Sequence, residues 1–204
     1  MKPAQIPLTL GLIAFSALVY LLQTWWNQEF VLAYFFISVF EGRQLPEFTN
    51  GQIWRLVSPI FLHFSIFHIV FNMMWLYMLG GVTEILQGKW LLLILVILTA
   101  IISNLLQYFV AGFRFGGMSG VVYALFGYVW MQGLTNDEFG FQLKQPLVVI
   151  MLGMFLLSWS GVFKLIGLHI ANTAHTAGLF SGIILSILVT LLFGRWRWRG
   201  YRPK

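Results

Sequence analysis

The chain has 204 residues, 59% hydrophobic and 9% charged. A water-soluble domain carries about 25% charged residues, so this composition excludes one and indicates an integral membrane protein of a single domain, residues 1–204. Cysteine is absent, which excludes disulfides and thiolate metal sites, and the formal charge of +6 does not indicate nucleic acid. Much of that charge sits in Arg195, Arg197, Arg199, Arg202 and Lys204, directly after the last apolar stretch. Such a tail reads as an anchor on an anionic leaflet or as a topology signal.

A membrane-crossing helix needs about 20 mostly apolar residues. Six such stretches are predicted, at residues 6–26, 63–82, 90–111, 117–134, 146–165 and 170–193. The first is too long for a signal-peptide core and lacks a small-x-small cleavage site, so it is expected to be retained. No soluble domain is expected before it. Residues 27–62 form a long connection. Its apolar run at 31–40 is about half the length of a span and is expected to lie half-buried in the interface, with short helices. A buried piece of the helical core is the alternative. A loop at 158–168 is expected to roof the outer side.

Six spans put both termini on one side. Lys2, Lys89, Lys144 and the five tail cations share that side, against Arg43, Arg55, Arg114 and Lys164 on the other. The excess marks the cytoplasmic face, so both termini are expected inside. The second, fourth and sixth spans then all start outside. His68 and Asn72 fall early in the second, Ser119 opens the fourth, and His175 falls early in the sixth. At 1.5 Å per residue, both histidines are expected roughly 8 Å below their helix starts.

Polar side chains in apolar spans are costly to keep without a function. A serine hydroxyl becomes a nucleophile beside a neutral imidazole, which makes Ser119 and His175 a candidate pair. Small residues line both helices, Gly120, Ala124 and Gly127 on one and Ala171, Gly178 and Gly182 on the other. That pattern lets helix backbones touch in lipid, with or without catalysis. The acids Glu29, Glu41, Glu47, Glu84, Asp137 and Glu138 lie in loops or at span ends, so a Ser-His pair is expected rather than a triad. Tyr123, one turn below Ser119, can stack on the imidazole or be a packed core aromatic. The unpaired N–H at the start of the Ser119 helix, with His68 and Asn72 on one helix face, could stabilise an oxyanion. Asn72 could equally bond only a neighbouring helix.

His63 is five residues from His68, which predicts different faces and poor geometry for a metal pair. His169 reads as a loop residue. No His-Glu-x-x-His occurs and no aspartate lies in a span, which argues against zinc and aspartyl intramembrane proteases. Gly117-x-Ser119 is half of a nucleophile elbow, but Val121 stands at the second glycine.

Trp54-Arg55, His63-x4-His68-x3-Asn72, Gly117-Met118-Ser119-Gly120 with Tyr123, and Ala171-Asn172-x2-His175-x2-Gly178 occur in this order. The set resembles the rhomboid family of intramembrane serine proteases, most closely its bacterial GlpG type. The resemblance implies a six-helix core, a Ser119–His175 dyad, and an oxyanion site from the Ser119 N–H, His68 and Asn72. It implies that Tyr123 stacks on His175. It further implies a first loop held sideways in the outer leaflet by Trp54 and Arg55, and a substrate gate near Phe71, Phe155 and Leu157. Substrates would be transmembrane segments cut near their outer end in the bacterial inner membrane, with no cofactor or metal. A catalytically silent binder or chaperone on the same fold is the alternative. A transporter is the third reading, but polar groups would then line the full depth.

Overall fold

In hydrocarbon every backbone polar group must be bonded within the protein, and the described residues form helices and connecting segments, with no strand among them. The computed structural model describes residues 1–40, 44–165 and 169–193, without the side chains of Lys164 and Phe193. Glu41, Arg43, the basic tail and the end of the expected roof loop lie outside the described residues, as does the Lys164 side chain. Among the described residues four helices are long and apolar enough to cross a membrane by length and composition. They are α1 (Pro7–Trp25), α4 (Ile66–Gln87), α5 (Lys89–Ala111) and α9 (Asn172–Phe193). α6 (Ser119–Thr135) has 17 residues and α7 (Gln145–Trp159) has 15. Between α1 and α4 stand α2 (Gln28–Phe35), α3 (Pro46–Thr49) and 3-10 turns at Ile53–Leu56 and Ser58–Phe61. The run at 31–40 is half-buried: Val31 and Ile37 face inward, while Tyr34, Val39 and Phe40 are exposed.

α6 is the central rod. Every residue from Gly120 to Val129 is buried, as expected for a helix that is apolar all round. α9 packs along it at backbone contact. A Cβ added at Gly178 would overlap the carbonyl of Gly120, and one at Gly182 would overlap that of Ala124. Two polar anchors join the same helices lower down, where Gln132 Nε2 donates to the Ser186 carbonyl and to Thr190 Oγ1, both at 3.1 Å.

The start of α1 is tied to α4 by Glu84. Its carboxylate accepts from Leu8 N and Thr9 N, each at 2.8 Å, and from Thr9 Oγ1 at 2.7 Å. Those amides are orphan donors at a helix N-terminus, where negative charge is also favoured by the helix dipole. Glu84 is thus a buried structural acid at the opposite end of α4 from His68.

Three expectations shift. The second span was predicted to start at His63, but α4 starts at Ile66, because Ser65 caps it by accepting from His68 N at 3.1 Å. α9 starts at Asn172 rather than Ile170. His68 and His175 therefore sit only about one turn inside their helices, roughly 3–5 Å deep rather than 8. The fifth span, predicted to reach Leu165, stops at Trp159. Gly161 takes φ +81°, and the hydroxyls of Ser158 and Ser160 turn back to the carbonyls of Phe155 and Leu157 at 2.7 Å. The short α8 (Val162–Leu165) follows, so the expected roof loop begins inside α7 and contains a helical turn.

The α6–α9 contact leaves no room for a side chain. Gly182→Val is expected to destabilise the fold by about 3 kcal/mol, at the upper end for overpacking. Gly153→Ala, whose added Cβ meets nothing within 4 Å, is expected to leave it unchanged. Thermal unfolding of both variants in detergent checks this.

Candidate active site

Gly117 sets the entry into α6. Its φ of +119° suits glycine, and an added Cβ would lie 2.6 Å from Nε2 of His68. Its N–H donates to the Pro59 carbonyl at 2.9 Å, which ties the turn to the segment before α4. The helix then opens on Ser119, so the first backbone amides of α6 have no intrahelical acceptor.

Gln107 of α5 fixes the start of α9 by accepting from Ala174 N at 3.0 Å. His175 follows in the first turn and is 8% exposed. Its Nε2 lies 2.8 Å from Ser119 Oγ, across the glycine-lined contact. The Tyr123 ring lies beside the imidazole at 4.7 Å between centroids, tilted by 38° rather than parallel. On its other side Tyr123 meets the Phe155 ring edge-on at 5.6 Å, and its hydroxyl donates to the Met151 carbonyl at 3.4 Å. Tyr123 thus stands between the histidine and α7.

The His68 ring covers Gly117, at the mouth of α6. Asn72 is buried and bonds its own helix, donating from Nδ2 to the His68 carbonyl at 2.8 Å. A primary amide has a second N–H. His63 corrects the sequence reading. Its ring meets that of His68 edge-on at 5.0 Å between centroids, so the two do not point apart. The spacing argument assumed that both lie on one helix, but His63 precedes the Ser65 cap. It is fully buried, with Nδ1 3.1 Å from the Phe61 carbonyl and its own carbonyl accepting from Gln23 Nε2 at 3.0 Å. Among the described residues no group of three or more histidines and acids is arranged to hold a metal ion.

Trp54 and Arg55 close the C-terminus of α2. Arg55 Nη1 donates to the carbonyls of Ala33 at 2.7 Å and Phe36 at 2.8 Å. Ser58 Oγ donates to Phe35 O at 2.8 Å, and Trp54 stacks on Tyr34 while its Nε1 reaches the Tyr34 carbonyl at 3.4 Å. These are the carbonyls a helix leaves unpaired, and a cation there is favoured by the dipole. Burial lowers the Arg55 guanidinium from its ordinary value, and the charge of Glu47 opposes that shift. Glu47 is itself buried and accepts from Val39 N at 2.7 Å and Ser38 Oγ at 3.0 Å. Of the gate candidates, Phe71 and Leu157 are exposed on α4 and α7, and Phe155 packs on Tyr123.

Sequence reading missed Gln107, Asn104 and Glu84 as fastening residues. Asn104 donates to the Leu56 carbonyl at 2.8 Å. Amides inside an otherwise apolar α5 were a usable signal, since they must find partners there.

A family model described as Rhomboid domain matches residues 50–191. The chain is 37% identical over 182 residues to "Rhomboid protease GlpG" of Pectobacterium atrosepticum. It is 39% identical over 182 residues to the protein of the same name from Yersinia pseudotuberculosis, and likewise to that from Yersinia pestis. Each alignment covers 88% of this chain and 62% of the relative, so the chain spans about three fifths of the length of the relatives it matches. The chain belongs to the rhomboid family, and with its apolar helices it is a bacterial multi-pass membrane protein.

Arg55→Ala would leave the Ala33 and Phe36 carbonyls at the end of α2 without their guanidinium donor. The fold is expected to lose about 3 kcal/mol, as for hydrogen bonds that involve a charged group. Unfolding in detergent measures this, with the exposed Lys89→Ala as control.

Proposed function

We propose that this chain is an intramembrane serine endopeptidase that cuts transmembrane segments near their outer end, with Ser119 as nucleophile and His175 as base. One observation carries the reading: the 2.8 Å hydrogen bond between Ser119 Oγ and His175 Nε2, made by two different helices. The imidazole takes the hydroxyl proton as Oγ attacks the scissile carbonyl, and returns it to the leaving amine. Water then attacks the acyl-enzyme, with His175 again as base. The oxyanion is held by the Ser119 N–H at the positive end of α6, by His68 over Gly117, and by the second N–H of Asn72. Tyr123 holds the face of the imidazole. No cofactor enters these steps.

A substrate helix has its backbone groups bonded internally, so it must unwind before attack. Substrates with small or helix-breaking residues near the cut are therefore favoured. α7 is the least embedded of the longer helices, with only Met151 and Ser158 buried. We assign it, with Phe71, Phe155 and Leu157, to the substrate gate. In this reading α6 and α7 complete six spans, and residues 27–62 lie in the outer interface, fastened through Trp54 and Arg55. Both termini are cytoplasmic in the bacterial inner membrane, and the whole forms one domain.

The test is labelling with a fluorophosphonate and cleavage of a single-span reporter. Ser119→Ala and His175→Ala are expected to abolish both while the protein still folds; full cleavage by both variants overturns the dyad. His68→Ala and Asn72→Ala are each expected to lower turnover by roughly 10²-fold, as for single oxyanion donors. Unchanged rates would move the oxyanion site elsewhere. Gly117→Ala is expected to slow turnover by displacing the His68 ring, and wild-type turnover would remove that constraint.

A further inference from the structure

His175 and Asn172 stand three residues apart in the first turn of α9, as neighbours on its surface. Each has one buried side-chain atom without a hydrogen-bond partner, Nδ1 of His175 and Oδ1 of Asn172. The opposite atom of each is engaged. Nε2 of His175 meets the Ser119 hydroxyl at 2.8 Å, and Nδ2 of Asn172 donates to the Ser158 carbonyl at 2.9 Å. Those bonds fix which way round both groups stand. The Ser158 carbonyl requires a donor, so the amide turns its nitrogen there and its oxygen is left over. An imidazole that accepts the serine proton at Nε2 carries its own hydrogen on Nδ1. The two leftover atoms are complementary, one N–H donor and one carbonyl acceptor on the same turn of helix.

Buried polar atoms in native proteins almost always have partners, and a buried water bridges two to four of them. A serine-activating base is commonly oriented by a third group, and the two buried acids among the described residues are engaged elsewhere. Glu84 is committed to the start of α1 and Glu47 to residues 38 and 39. We propose that Asn172 is the positioning residue of His175, its Oδ1 accepting through one ordered water the hydrogen bond from Nδ1–H. That bond holds the imidazole in the tautomer and orientation that Ser119 needs. The inference rests on the Ser119–His175 reading above. It also links the base to α7, because the same amide is bonded to the Ser158 carbonyl at the end of that helix.

The test compares wild type, Asn172→Leu, Asn172→Asp and Ser119→Ala in detergent, with kcat and KM on the reporter and the rate of fluorophosphonate labelling. Asn172→Leu removes the acceptor and is expected to lower kcat and the labelling rate about tenfold with KM unchanged, the scale of one lost neutral hydrogen bond. Asn172→Asp keeps an acceptor oxygen at the same reach and is expected to retain most of both rates, although it cannot donate to Ser158. Wild-type rates in Asn172→Leu, or equal slowing in both variants, overturn the proposal. A merely structural role for Asn172 would not produce rescue by aspartate. Should either variant fail to fold, a wild-type crystal structure that resolves waters decides: one water bonded to both atoms is expected, and its absence overturns the proposal. Failure of the dyad itself appears separately, as labelling that survives Ser119→Ala, and would remove the basis for this inference as well.

Discussion

The architecture depends on one close approach. α6 and α9 touch backbone to backbone because Gly127, Gly178 and Gly182 carry no side chain: an added Cβ would run into the carbonyls of Leu179, Gly120 and Ala124 respectively. In lipid there is no hydrophobic gain from bringing apolar helices together, so shape and hydrogen bonding must do it. A bulkier residue at either α9 glycine would push the rods apart. The Ser119–His175 bond spans that contact at one end, and Gln132 with Ser186 and Thr190 spans it towards the other. The pair is therefore set by helix spacing rather than by flexible side chains finding one another.

A second constraint fixes height along those rods. Several helix ends are fastened by a polar side chain from another element. Gln107 holds the start of α9, Asn172 reaches from α9 to the end of α7, and Arg55 closes α2. Glu84 does the same for α1 at the far end of α4. Orphan amides and carbonyls are costly without water, so each fastening both satisfies a terminus and fixes its position. α7 has the least of this. Few of its residues are buried, and the Asn172–Ser158 and Tyr123–Met151 bonds join it to α9 and α6.

Much of this was legible beforehand. The apolar runs located α1, α4, α5, α6 and α9 to within a few residues, because length and hydropathy are local properties. Ser119 and His175 stood out because a hydroxyl and an imidazole are expensive inside apolar helices, and the glycines at helical spacing indicated which two helices touch. The spacing of His63 and His68 misled. It presumed a continuous helix, whereas Ser65 starts α4 after His63, so the two rings meet. The length of α7 was overestimated for a related reason. Hydropathy continues past Trp159, but Gly161 and two serines turn the backbone there.

By itself the chain order determined the membrane class, the approximate helices and the residue types available for chemistry, since these follow from composition and period. Tertiary packing alone decided the partners: which carbonyl Asn172 meets, that Glu84 serves α1, that the Tyr123 ring lies tilted between His175 and Phe155. Such contacts join positions from 14 to 76 residues apart. Their geometry depends on where one helix stops against another, and no local pattern along the chain encodes that.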